Sequence, residues 1–173
     1  QLYKSIFSKI QELHDGSYPQ LNVSLTIDKK IIEEKEFEND ELIIKVVLSS
    51  SVETIEKHAF LKCNLLKNVL ISKSVNEIQV GAFQGCKSLE EIEIPDNVEN
   101  LLEFCFSDCK SLKRVKLPSS IKNISAGLFK NCTSLFKVTF VFVWGRVHTK
   151  ARSGRSEDDC GSQFSLSETD QAV

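Results

Sequence analysis

The 173-residue sequence predicts a solenoid of the α/β class, a short coil of strand and helical turn stacked on copies of itself. Three observations predict it. The first is a period: Phe37, Phe60, Phe83, Phe106 and Phe129 fall 23 residues apart, and Cys63, Cys86, Cys109 and Cys132 keep the same interval. Such a period marks stacked units, because one short unit cannot bury its apolar side and a stack can. The second is the pattern inside the unit. "GCKSLEEIEIP" (Gly85 to Pro95) and "DCKSLKRVKLP" (Asp108 to Pro118) share an apolar frame, and the alternation Ile92-x-Ile94 has the period of a strand. The third is Pro95 and Pro118, which lack the N–H needed for ladder pairing and so end the strand.

Along the chain, Leu2, Ile6, Phe7, Ile10 and Leu13 stand at helical spacing and predict an amphipathic helix, broken by "HDGSYP". "NVSLTI" then reads as a strand, with Val23 and Leu25 one period before Val46 and Leu48 and Ile32 one period before Ile55. Residues 1–34 are therefore expected to form a capping helix and a degenerate first coil.

Residues 35–145 are expected to form the solenoid proper. Eight columns stay apolar through it, and only Asp40, one unit before Cys63, departs. The strand columns are Ile43, Leu66, Leu89, Leu112, Leu135; then Val46, Val69, Ile92, Val115, Val138; then Leu48, Ile71, Ile94, Leu117, Phe140. Val98-x-x-Leu101 turns the next side. The span from Phe104 to Cys109 has enough helical spacing for one turn, edged in other units by glycines that suit tight corners.

After Phe140 the period stops. Three of the four Arg and three of the seven Gly lie beyond residue 144, and residues 146–173 hold few large apolar residues, so a disordered tail is expected. A natural tail, a truncated gene with altered reading and an added segment all stay open. The chain has no Met and begins with Gln, which points to a fragment or processed form and leaves a removed leader open.

Composition narrows the function classes. Hydrophobic residues make up 41% and charged residues 27%, ordinary for a folded domain. A net charge of −2 gives no general pull toward nucleic acid or acidic lipid, and no apolar run approaches the length of a membrane span.

The Leu-x-x-Ile-x-Ile strand, with its Cys column, proline stop and Phe corner, resembles the BspA-type leucine-rich repeat over about Lys35 to Phe140. That family occurs in bacterial surface proteins and in large protein sets of parasitic protists. The resemblance implies a right-handed leucine-rich-repeat solenoid with a parallel sheet along one face. It implies binding, usually of protein, and no catalysis.

Candidate chemistry is sparse. The Cys column recurs three residues before the core Leu, as a packing position does, so its thiols are expected in the core. Disulfides between coils, or a metal held by Cys86, Cys105 and Cys109, are the alternatives. Thiols buried in series fit a reducing compartment, while the resemblance implies the cell surface instead. His14, His58 and His148 share no repeat position, and no nucleophile–base spacing or phosphate-binding glycine motif is present, so no catalytic residue, cofactor or metal is assigned. The three Asn-x-Ser/Thr triplets follow from the repeat grammar.

The outward strand positions carry the functional question. Stacked in register, Glu90 meets Lys67 and Lys113, Glu91 meets Arg114 and Glu93 meets Lys116. Lateral pairing explains these charges at least as well as display to a ligand. Val47, Leu70 and Phe136 are not explained by pairing, and exposed apolar groups suggest contact. The candidate partner-binding residues are Val47, Leu70, Glu91, Glu93, Arg114, Lys116, Phe136 and Thr139. The expected function is a non-catalytic module that binds a protein on its sheet face, with no role for nucleic acid. A structural fragment of a longer array, without its own ligand, is the alternative.

Overall fold

A computed structural model describes residue 5, residues 22–141 and residues 147–151. The capping helix expected near residues 2–13 lies outside the described residues apart from Ser5, which is helical.

Every coil begins with a strand of the larger sheet. These are β1 (Val23–Ile27), β3 (Ile43–Leu48), β5 (Asn68–Leu70), β7 (Glu91–Glu93), β9 (Arg114–Pro118) and β11 (Lys137–Val141). They pair in parallel in that order, and from β3 onward each residue faces the one 23 positions later: Lys45 with Asn68, Glu91 with Arg114, Arg114 with Lys137. The inward column Val46, Val69, Ile92, Val115, Val138 is buried throughout.

The first coil departs from the expected register. Leu25 pairs with Val46 and Ile27 with Leu48, so the offset is 21 residues, with an irregularity between Val23 and Ser24. Ile27, rather than Leu25, takes the buried position under Leu48. The reason is in the following turn, where only "DKKI" separates Ile27 from Ile32, two residues fewer than Leu48 to Ile55. The 23-residue register returns at Ile32 and Ile55.

A turn then carries the chain to a second side. Its hydrogen bond closes from Val98 N–H to Pro95 C=O, and likewise from Val75 to Ser72. The proline is thus both strand stop and first residue of the turn. The second side is itself a sheet, of two-residue strands: β2 (Ile31–Ile32), β4 (Thr54–Ile55), β6 (Glu77–Ile78), β8 (Asn100–Leu101) and β10 (Asn123–Ile124). Its inward residues Ile32, Ile55, Ile78 and Leu101 are fully buried, while Ile124 on the last strand is 51% exposed.

The third side differs from the expected helical turns. Among the described residues these corners hold no helix: they are runs of tight turns, as in Ala59 N–H to Glu56 C=O, Leu61 to His58 and Cys63 to Phe60. Two columns of left-handed residues bound each corner. One is Lys35, His58, Gly81, Phe104, Gly127; the other is Asn39, Lys62, Gly85, Asp108, Asn131. Left-handed backbone cannot continue a right-handed helix. The alternate amides are also committed elsewhere: Phe60 N–H donates to Ala82 C=O of the next coil, Lys62 to Gln84, and His58 to Val80. The corner is a third ladder between coils, so the described solenoid is all-β, with about five turns.

Inside the corner the five Phe rings stack face to face, with centroids 5.0, 5.2, 5.7 and 5.9 Å apart in succession. Beside them runs the Cys column. Cys63 Sγ donates to Phe37 C=O, Cys86 to Phe60, Cys109 to Phe83 and Cys132 to Phe106, at 3.0 to 3.2 Å. Cys therefore serves as a small apolar filler that also satisfies a buried carbonyl. Burial pushes the thiols of Cys86 and Cys109 up, which keeps their donor protons in place, and pushes that of Cys105, in the neighbouring column, to about 12. In the first coil Asp40 fills this slot, and its Oδ1 accepts from the N–H groups of Leu42 and Ile43. The buried carboxylate is thus turned to capping the chain that enters β3.

At the far end of the larger sheet, β12 (Val147–Ala151) pairs antiparallel with β11. It falls within the segment 146–173 expected to be disordered; the rest of that segment lies outside the described residues.

Candidate interaction face of the large sheet

The outer side of the large sheet carries three outward or edge columns per coil: two are set by the alternation of strand side chains between core and solvent, and the third lies at the entry to the strand. They are Ile44, Lys67, Glu90, Lys113, Phe136; Lys45, Asn68, Glu91, Arg114, Lys137; and Val47, Leu70, Glu93, Lys116, Thr139. The β7 coil contributes three carboxylates, Glu90 just before the strand and Glu91 and Glu93 within it, and the β9 coil three cations. Lys113 Nζ donates to Glu90 at 2.9 Å, Arg114 to Glu91 and Lys116 to Glu93. Among the described residues the Glu90 carboxylate forms its ion pair with Lys113, while the Lys67 ammonium, its other expected neighbour, acts through space. The Lys113 hydrogen bond and charge, aided by Lys67 and Arg114, lower the Glu90 carboxyl below its ordinary value. A carboxylate so lowered stabilises the fold above the usual carboxylate range, and that contribution fades as pH falls through the lowered value.

These pairs are half-exposed, so solvent screens them. Their expected effect is small and specific: Glu93→Lys destabilises, and adding Lys116→Glu recovers about 0.2–1 kcal/mol. A double-mutant cycle by urea denaturation measures this, and zero coupling would remove lateral pairing as a determinant of coil order.

The sheet face forms an open groove of about 650 Å³ that runs across β5, β7, β9 and β11. Six of the eight candidate residues meet there: Leu70, Glu91, Glu93, Arg114, Lys116 and Thr139. Val47 sits beside Leu70 on β3, half-buried and outside the lining. Phe136 precedes β11, is 54% exposed and does not line the groove. Leu70 is 55% exposed in its wall. The two large apolar residues therefore lie at separate points and do not form one patch. Lys67, Asn68 and Lys137 also line the groove. Membership of the same three columns is the signal in the sequence that finds them.

Among the described residues no three His, Cys, Asp or Glu side chains are grouped to hold a metal ion, and no helix is long and apolar enough to cross a membrane. His58 occupies a left-handed corner position, and burial, with the charges of Lys57 and Lys35, lowers its pKa. His14 and the side chain of His148 lie outside what is described.

A 23-residue coil with an apolar strand frame, a stacked Phe corner and parallel strands defines a leucine-rich-repeat solenoid. The family model of the BspA-type leucine-rich repeat region matches residues 30–151 with six copies, and the chain belongs to that family. Solved structures agree. A leucine-rich cell surface protein from Faecalibacterium prausnitzii is 29% identical at a TM-score of 0.65, covering 71% of this chain and 34% of that one. A leucine-rich repeat protein of T. pallidum is 30% identical at a TM-score of 0.64, covering 68% of this chain and 58% of that one. A leucine-rich repeat protein from Bacteroides ovatus is 30% identical at a TM-score of 0.59, covering 66% of this chain and 30% of that one. The chain thus spans between about a third and three fifths of the length of the first two. No curated protein matches its sequence.

Proposed function

We propose that the chain is a non-catalytic recognition module that binds a protein partner on the outer face of its large sheet. The observation that carries this is the groove across β5 to β11, where six of the eight candidate residues converge and Leu70 stands exposed in the wall. A rigid sheet presents fixed side chains at fixed spacing, so little conformational freedom is lost on binding. The mechanism is complementarity of shape and charge, with no covalent step and no cofactor. The cell surface suits this reading, because one of the similar structures is a cell surface protein.

A second reading is favoured by a different observation. Ile124, at the last strand of the small sheet, is 51% exposed where its column-mates are buried, and the chain covers only part of the longer relatives. On that reading the chain is one section of a longer array and its end face carries the contact.

Photo-crosslinking separates the two. A photoreactive residue is placed at Leu70 or Thr139 on the large sheet, at Glu77 on the small sheet and at Ile124 at the end. Adducts with source-cell proteins from the first pair alone support the sheet face. Adducts confined to position 124, or absent from all four, would overturn recognition on the sheet face, and their absence is the result expected of an array section without its own ligand.

A further inference from the structure

Resting on the sheet-face reading, we propose that the partner segment is acidic and lies across the strands, with carboxylates engaging Lys67 on one side of the groove and Lys137 on the other. The outward columns hold six cations (Lys45, Lys67, Lys113, Arg114, Lys116, Lys137) against three carboxylates (Glu90, Glu91, Glu93). The face therefore carries a surplus of three positive charges on a chain whose net charge is −2. The surplus is unevenly placed. Lys113, Arg114 and Lys116 are each taken by a glutamate of the preceding coil. Among the described residues Lys45, Lys67 and Lys137 have no ion-pair partner, and the last two line the groove.

The middle of the groove is thus directly ion-paired from within, while at its flanks Lys137 stands apart from the three carboxylates and Lys67 meets Glu90 only through space. Lys67 and Lys137 stand three coils apart, roughly 14 Å at the strand spacing of about 4.8 Å. An extended peptide advances about 3.3 Å per residue, so carboxylates about four residues apart span the flanks. Leu70 shares the coil of Lys67 and offers an apolar contact near the first carboxylate. Arg114 spends one N–H group on Glu91 and keeps donors for a passing carbonyl or carboxylate. A nucleic acid fits less well, because Glu90, Glu91 and Glu93 would interrupt any continuous track for phosphates.

The test is fluorescence anisotropy on the full chain with three labelled probes: a dodecapeptide of Glu-Glu-Leu units, its Lys-Lys-Leu counterpart and a dT dodecamer. The acidic peptide is expected to bind about tenfold more tightly than the basic one, and to weaken as salt rises from about 0.05 to 0.3 M. Lys67→Glu and Lys137→Glu should each weaken it by about threefold or more, while Lys122→Glu near the small sheet leaves it unchanged. Circular dichroism melts of the variants confirm that they remain folded. Equal binding of the two peptides, insensitivity to both groove variants, or tighter binding of the dT dodecamer than of the acidic peptide overturns the inference. If that happens while position 70 still forms adducts, the sheet-face reading stands and only the acidic partner falls. If adducts at positions 70 and 139 are absent, the failure belongs to the sheet-face reading itself.

Discussion

Phe83→Ala is expected to cost about 3–5 kcal/mol, the range for removing a fully buried aromatic side chain. Phe83 has no exposed surface and stacks on two rings, Phe60 at 5.2 Å and Phe106 at 5.7 Å. Its loss opens a gap in a column that cannot collapse, because three hydrogen-bonded ladders hold the coils at a set spacing. Total stabilities of single domains are about 5–15 kcal/mol, so this one change consumes much of the margin. Phe37→Ala is the comparison. Among the described residues Phe37 stacks on Phe60 alone, and it retains 6% exposure, so its loss should cost clearly less. Urea denaturation of both variants reads the difference. Equal costs, or a Phe83 cost below about 1 kcal/mol, would show that the ring column fills space without holding the stack together.

Gly81→Ala is the second large effect, at about 2–3 kcal/mol. Two causes add. Gly81 has φ +60°, where an L residue pays about 1–2 kcal/mol. A Cβ there would also come within 2.5 Å of His58 Cδ2, which lies over the glycine from the preceding coil. The same relation recurs two units on, where a Cβ at Gly127 would meet Phe104 Cε1 at 2.4 Å. From His58 onward large and small residues alternate down this corner, so that each ring lies on a bare backbone. The two causes are separable. In a His58→Ala background the contact is gone, and Gly81→Ala should cost only the left-handed share. For a chain of this length each kcal/mol moves the thermal midpoint by about 2–4 °C, well within reach of calorimetry. The same penalty in both backgrounds would show that backbone conformation alone requires the glycine.

Much of this architecture was legible because it is written in columns. The 23-residue register, the buried strand frame, the Cys slot and the pairing of Glu90, Glu91 and Glu93 with Lys113, Arg114 and Lys116 all follow from residues at one interval. What was not legible lies where conformation breaks from side-chain pattern. The span from Phe104 to Cys109 has helical spacing, yet Phe104 and Asp108 adopt φ of 56° and 59°; Phe does not announce this, and Asp, though it tolerates the left-handed region, announces it only weakly. The clearest marks of the same positions are the glycines at Gly81, Gly85 and Gly127, with Asn39 and Asn131 beside them. The small sheet was hidden for another reason. Two residues per strand are too few to show an alternation, and they are strands only by virtue of their neighbours. The first coil misled because "NVSLTI" fits two registers that differ by two residues, which preserves the face of every side chain. The shortened turn that chooses between them carries no apolar mark. On the candidate face, the sequence indicated which residues point outward. It did not indicate that Leu70 enters the groove and Phe136 stays outside.

The corner ladder has a bearing on how such an array can lengthen. Along it the earlier coil always donates to the later, Phe60 N–H to Ala82 C=O and Phe83 N–H to Cys105 C=O. On the small sheet the direction reverses, as Gln79 N–H donates to Ile55 C=O. Each coil therefore shows the next one a mixed pattern of donors and acceptors, and shows the previous one its complement. A duplicated 23-residue segment would arrive already matched to the neighbours on both sides, whereas a segment of another length would need a bulge or an altered turn to regain the register, as in the first coil. Growth by whole units thus requires no new interface to evolve, and the number of coils can drift while the surface chemistry of each is free to change.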